Sequence, residues 1–232
     1  MTIQLYDLCG ADTDLRFSPQ CWKASLALAH KGLPTETIPL PFTAIRAIGG
    51  GGVTKTVPVI DDQGRLIRDS FAIAEYLDAN YPQRPLFGGD GPVLARYVEA
   101  NIHTAVHPVI TAMMVKDIHD VLAPADQAYF RQSREKRSGR SLEEMQVGVD
   151  ALADDLATAY VPVRRALAHG PWLGGNSPMF VDYVAAGALI WLRTITGGVP
   201  LTDDNPVKDW FERILDLFDG LARNAKTARS GQ

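Results

Sequence analysis

Residues 57–70 read Val57-Pro58-Val59-Ile60-Asp61-Asp62-Gln63-Gly64-Arg65-Leu66-Ile67-Arg68-Asp69-Ser70, and they decide what the first third of the chain can be. Two apolar runs flank Asp61-Asp62-Gln63-Gly64, a polar turn ending in glycine, which is the pattern of a β-hairpin. Asp69 and Ser70 then begin a helix. Its apolar face is Ile73, Ala74, Leu77 and Tyr81, and Tyr81-Pro82 ends it, because the residue before proline is pushed out of helical geometry. Pro58 is the odd member of the strand. It cannot donate to a ladder, which suits an edge position, and its own reading is a trans bond, since only about 5–6% of X-Pro bonds in folded proteins are cis.

Upstream, Ile3 to Leu8 reads as a strand and Gly10-Ala11-Asp12-Thr13-Asp14 as a loop. A helix starts near Ser18, with Pro19 in the first helical position and Gly32 as a left-handed C-terminal cap. Thr35 to Leu40 is a candidate second strand. The run Gly49-Gly50-Gly51-Gly52 marks a flexible loop, not a phosphate cradle, because no GK[ST] follows. Downstream the pattern changes to helix throughout, in roughly Val93 to Ile118, Leu142 to His169, Asp182 to Thr196 and Pro206 to Arg223. Residues 1–82 are thus expected to form an α/β domain, 83–92 a linker and 93–232 an all-helical domain. Between the first two helical stretches, Pro124 to Arg140 carries Arg131, Arg134, Lys136, Arg137 and Arg140. Such a charge run reads as a solvated, mobile segment, with a contact surface as the alternative.

A chain of 232 residues can bury a core without covalent staples. With 46% hydrophobic and 22% charged residues and a net charge of -4, the composition is globular and disfavours a nucleic-acid partner. Cys9 and Cys21 are the two cysteines and lack zinc spacing, which argues against a disulfide framework and fits a reducing compartment. The N-terminus has no basic region followed by a long apolar run, and no later run is long enough to cross a bilayer, so the expected location is cytoplasmic with no membrane partner.

Three places can carry chemistry. Ser18 sits where loop meets helix. There it serves as an N-cap worth about 0.5–2 kcal/mol, and the same geometry lets a hydroxyl donate to a thiolate at the positive end of the helix dipole. Lowering a thiol pKa from about 8.5 to about 7 takes roughly 2 kcal/mol, which one charge-assisted hydrogen bond covers. At Val57-Pro58, a cis bond would turn the Val57 N–H and C=O outward, where an extended peptide could pair as an added strand. Asp69 and Ser70 cap the helix after the hairpin. Free N–H groups and the Ser70 hydroxyl there suit the carboxylate of a γ-glutamyl group, and Asp69 its ammonium.

Taken in order, these residues resemble the glutathione S-transferase superfamily. The resemblance rests on Leu5-Tyr6-Asp7-Leu8, Phe17-Ser18-Pro19 with Trp22, Ala29-His30-Lys31-Gly32, Val57-Pro58-Val59-Ile60, Asp69-Ser70 and Ile73-Ala74-Glu75-Tyr76-Leu77. It implies a thioredoxin-like N-terminal domain with a cis Val57-Pro58 bond and an all-α C-terminal domain. It also implies glutathione as cosubstrate, Ser18 as thiolate activator, Val57 and Pro58 as the backbone partner of the cysteinyl unit, and Asp69 and Ser70 as γ-glutamyl ligands. In the C-terminal half, Trp172-Leu173-Gly174-Gly175, Asp182-Tyr183, Asp209-Trp210 and Leu217-Phe218-Asp219-Gly220 look most like the bacterial β-aryl etherase branch and its fungal relatives. Met179 departs from the family, which places Ser, Thr or Asn as the cap three residues before the aspartate, so a cap hydrogen bond should be missing here.

The function that follows is transfer of glutathione to an apolar, aromatic electrophile, with β-aryl ether cleavage as one form of it. A homodimer is expected by analogy. Two alternatives stay open: a non-catalytic binding module of the same fold, and a thiol-disulfide reductase dependent on Cys21, whose plainer reading is a small buried hydrophobe. His103 and His107 share a helical face at metal-ligand spacing without HExxH or an obvious third ligand, so polar lining of a cleft is the better reading and no metal is assigned. Met113, Met114 and Tyr97 are candidates for shaping the apolar pocket, although a methionine pair at helical spacing is more often core.

Overall fold

The structure, a computed structural model, describes residues 2–52, 54–89 and 91–229. Its first part is a four-stranded sheet in the order β2-β1-β3-β4, built from β1 (Ile3–Leu8), β2 (Thr35–Leu40), β3 (Val59–Asp62) and β4 (Arg65–Arg68). β1 runs parallel to β2 across the helical crossover α1 (Pro19–Lys31), and antiparallel to β3 with Leu5 opposite Ile60. Gln63 and Gly64 both hold positive φ, 57° and 86°, so the β3–β4 turn has the backbone twist that matches its strands. Helix α1 ends as its sequence demands, with Gly32 left-handed at φ 68° and its N–H on the Ala29 and Leu28 carbonyls. Helix α2 (Ser70–Asn80) packs beside it.

Between α2 and the helical part, the chain is fastened at Leu86 and Phe87. Leu86 is fully buried, its N–H donates to Asp78 at 2.8 Å, and its carbonyl accepts from Phe180 N–H at 2.8 Å. Phe71, Phe87 and Phe180 pack ring to ring across this point.

The helical part comprises α3 (Val93–Asn101), α4 (His107–Asp120), α5 (Pro124–Ser138), α6 (Leu142–Met145), α7 (Ala153–Ala159), α8 (Val161–Leu167), α9 (Phe180–Thr196) and α10 (Pro206–Gly220). Helix α9 is its axis, apolar nearly all round and buried along most of its length against α1, α3 and α4. Gly187 makes the contact with α1 possible: a Cβ there would stand 2.8 Å from the Pro19 carbonyl oxygen. Two lysines on α1 are buried and paired, and the first of them links α1 to the helical part. Lys23 pairs with Glu99 of α3 at 2.8 Å, and Lys31 is enclosed by Asp78 and the carbonyls of Tyr81 and Gln83.

Three expectations are corrected. The stretch Val93 to Ile118 is two helices separated by a π-helical turn at Ile102–Val106, where Pro108 offers no N–H to the ladder. The stretch Leu142 to His169 is several short pieces: Gly148 at φ 107° breaks it, and α7 and α8 are divided at Tyr160 just before Pro162. Most of Pro124 to Arg140 is the helix α5, ending at Ser138, and not a solvated segment, because Asp126 and Phe130 point inward from it and are buried. Among the described residues no helix is long and apolar enough to cross a membrane.

Candidate active site at the start of helix α1

Ser18 caps α1. Its backbone is extended (φ -67°, ψ 121°), and its Oγ accepts from the Cys21 N–H at 3.3 Å. Pro19 follows in the first turn, which contains no acid, so the positive end of the helix is uncompensated by side-chain charge. Cys21 itself is fully buried between Ser18 and Asp7. Burial first, then the Asp7 charge, push its thiol well above the usual range, which keeps it from being a thiolate at neutral pH. Burial likewise raises Asp7 to about 6, despite its contact with Cys21 and the Arg16 guanidinium 3.8 Å away. Asp7 Oδ1 has no hydrogen-bond partner.

The Val57-Pro58 bond is cis, as the family resemblance implies and against the reading of the dipeptide alone. Pro58 is buried and its carbonyl accepts from Asp69 N–H at 3.3 Å, joining the strand start to the α2 start. Among the described residues no hydrogen-bond partner is found for the Val57 N–H or C=O. Asp69 holds a positive φ of 76°, and its Oδ1 accepts from the N–H groups of Phe71 and Ala72 at 2.9 and 3.1 Å. Ser70 is buried and donates from Oγ to Gln20 Oε1 at 3.2 Å. Gln20 Nε2 in turn lies 2.9 Å from His103 Nε2. A side chain in the first turn of α1 thereby braces both the α2 start and the helical part, and it had no distinguishing mark in the sequence.

A cavity of about 490 Å³ opens beside Ser18. Phe17 and Pro19 line it beside Ser18, α4 contributes His107, Thr111 and Val115, and α5 contributes Phe130, Arg134 and Arg137. Asp126 positions one further wall, accepting from the N–H groups of Phe42 and Thr43 at 2.6 and 2.9 Å and so bringing the Phe42 ring to 5.8 Å from Phe130. Met113 and Met114 do not shape this cavity: both are fully buried in the core, and Tyr97 is exposed elsewhere. His107 does line it. Burial, with the neighbouring His103 and Lys23 adding to the effect, lowers its pKa to about 3, so the ring is neutral, and its buried Nε2 has no partner. Among the described residues no third His, Cys, Asp or Glu gathers with the histidine pair. The arginines were visible as a charge run only. Phe130, Arg134 and Arg137 at i, i+4 and i+7 lie on one helical face, which is the signal that places them together.

The chain thus joins a four-stranded mixed sheet of thioredoxin-like order, with a hydroxyl at its first helix start, to a helical unit across a largely apolar cleft. Comparison with known sequences places the chain within one family. Residues 93–216 match "Glutathione S-transferase, C-terminal domain" and residues 17–80 match "Glutathione S-transferase, N-terminal domain". The chain belongs to the glutathione S-transferase superfamily, whose cosubstrate is glutathione. It is 24% identical over 222 residues to glutathione S-transferase omega-1 of Mus musculus, covering 91% of this chain and 70% of that protein. Glutathione transferase GSTFuA3 from Phanerochaete chrysosporium superposes with a TM-score of 0.75 at 27% identity, over 95% of this chain and 92% of that one. The glutathione S-transferase CsGST63524 of Ceriporiopsis subvermispora, solved in complex with glutathione, gives 0.78 at 25% identity, over 94% and 96%.

Proposed function

We propose that this protein transfers glutathione to an apolar, aromatic electrophile, with Ser18 holding the sulfur as a thiolate. The observation that carries the reading is the Ser18 hydroxyl, capping α1 at the mouth of a largely apolar cavity of about 490 Å³. Glutathione would lie extended along the N-terminal unit. Val57 N–H and C=O pair with its cysteinyl backbone beside cis Pro58, Asp69 offers its uncommitted Oδ2 to the γ-glutamyl ammonium, and the α2 start with Ser70 receives the carboxylate. The Ser70 hydroxyl exchanges or shares its Gln20 partner when it does so.

In the reaction the Ser18 O–H donates to the sulfur, and the helix dipole adds to the stabilisation of its charge. The thiolate attacks the electrophilic carbon, a C–S bond forms, and the bond to the leaving group breaks with the electron pair departing on that group. A halide or a phenolate both fit, the latter being β-aryl ether cleavage. Catalysis comes from thiolate stabilisation and from holding the two reactants together. The two-domain division at 1–82 and 93–232, a reducing cytoplasmic setting and a homodimer complete the proposal.

Turnover of 1-chloro-2,4-dinitrobenzene and of a β-aryl ether model compound tests it. Ser18→Ala is expected to lower kcat/KM about 10- to 100-fold, the worth of one charge-assisted hydrogen bond, while Cys21→Ala leaves it within about twofold. The reverse pattern would establish cysteine chemistry instead. The high, buried Cys21 thiol speaks against that. Glutathione binding by calorimetry without turnover of either compound would leave a binding module.

A further inference from the structure

Two arginines on α5 line the cleft with nothing of opposite charge to hold. Arg134 is half-buried, its guanidinium 4.4 Å from the Phe130 ring centroid and 5.8 Å from that of Phe42, and its Nη1 donates to Ser133 Oγ at 2.9 Å. Arg137, one turn further along, is exposed at the same cavity. Among the described residues neither forms an ion pair with a carboxylate, whereas Arg131 on the same helix takes Glu135 and Glu143, and the buried Lys23 on α1 takes Glu99. Burial first, then repulsion from Arg137, lower the Arg134 pKa, the mark of a cation deprived of both water and counter-charge.

A guanidinium keeps its charge at neutral pH, so that deficit is relieved by an incoming anion rather than by proton loss. Its planar fork suits an oxyanion, and the two phenylalanine rings on which it lies hold it in place. The same cavity carries the Trp191 indole, so an aromatic body is matched by ring surface and an acidic substituent by α5.

We infer that the second ligand of this cleft is an aromatic anion, an aryl carboxylate or sulfonate, whose acidic group is taken up by Arg134 with Arg137 beside it. The inference rests on the reading above that this cleft receives the electrophile, yet it concerns binding and can be measured without turnover.

The probes are 8-anilinonaphthalene-1-sulfonate and N-phenyl-1-naphthylamine, which share an aryl body and differ by the sulfonate. Fluorescence titration of the full chain should give an Arg134→Met variant that binds the sulfonate about tenfold more weakly and the uncharged amine within about twofold. Arg137→Met, a change at an exposed site that does not threaten folding, should weaken the sulfonate about threefold. Equal losses for both probes, or no loss for either, would overturn the inference. With glutathione present, kcat/KM for 4-chloro-3,5-dinitrobenzoate relative to 1-chloro-2,4-dinitrobenzene should fall about tenfold in Arg134→Met. Sulfonate discrimination in a protein that turns over neither halide would sink the transferase reading and support this one. Turnover of both halides with an unchanged ratio would do the opposite.

Discussion

Asp182 and Asp7 are both buried carboxylates, one at the start of α9 and the other beneath Ser18, and they are treated in opposite ways. Asp182 is saturated. It accepts from the N–H groups of Leu173, Gly174 and Met179 at 2.8 to 3.0 Å and from Trp210 Nε1 at 2.9 Å. Asp7 has a guanidinium 3.8 Å off, a thiol neighbour, and one oxygen with no partner. The other buried side-chain atom without a partner, among the described residues, is His107 Nε2, which belongs to a residue lining the cavity beside Ser18. Satisfied polarity holds the helical unit together, and unsatisfied polarity collects around the start of α1 and the cavity beside it. Groups left short of partners are where a protein stores the capacity to respond to a ligand, at a cost in stability.

The contrast can be broken first at Asp182. Asp182→Ala strands four donors and should lower unfolding stability by about 3–5 kcal/mol in urea titration; a loss under about 1 kcal/mol would remove the distinction between the two sites. Asp7→Asn should go the other way and depend on pH. The folded pKa of about 6 stands above the ordinary 3.8, so the native state binds the extra proton between those values and wild-type stability falls as pH rises through that window. The variant should therefore match wild type below pH of about 4 and exceed it above about pH 6, by up to about 3 kcal/mol. A variant less stable at high pH would show that the charged carboxylate is supported after all.

His107 sharpens the comparison with the opposite slope. Its folded pKa of about 3 lies below the ordinary 6.5, so the unfolded chain takes up the proton first and stability is lost as pH falls between them. His107→Phe should be favoured at pH 5 over pH 7.5 by up to about 2 kcal/mol relative to wild type, by paired thermal or urea unfolding. The smallest effect is at the α9 cap. Met179 offers no side-chain hydrogen bond there, as the departure from the family pattern implies, and Met179→Asn should add up to about 1 kcal/mol. Unchanged or lower stability would mean that the methionine packing over Gly174 outweighs the missing cap.

The features of the N-terminal unit were legible because each is a local device: Ser18 and Asp69 are helix caps, Gly32 a left-handed stop, and Gln63-Gly64 a twisted turn, all decided within a few residues. The cis bond at Val57-Pro58 was not local. The dipeptide favours trans, and only the ordered set of motifs indicated otherwise. The α5 wall of the cavity was harder still. Arg134 and Arg137 looked like part of a solvated charge run because their meaning depends on Phe42, placed by Asp126 from more than eighty residues away. Gln20 was missed for the same reason, since its partners Ser70 and His103 come from two distant helices. Helix length also misled, because a periodic pattern continues across the breaks at Pro108 and Pro162.

The close pass of Gly187 against the Pro19 carbonyl has a consequence for how such proteins can be recombined. The two units are keyed to each other at the turn that presents the Ser18 hydroxyl, so they are not interchangeable parts. A chimera joining this sheet to a foreign bundle with even an alanine at that spot would have to move the Pro19 carbonyl, and the Ser18 hydroxyl next to it, by tenths of an ångström.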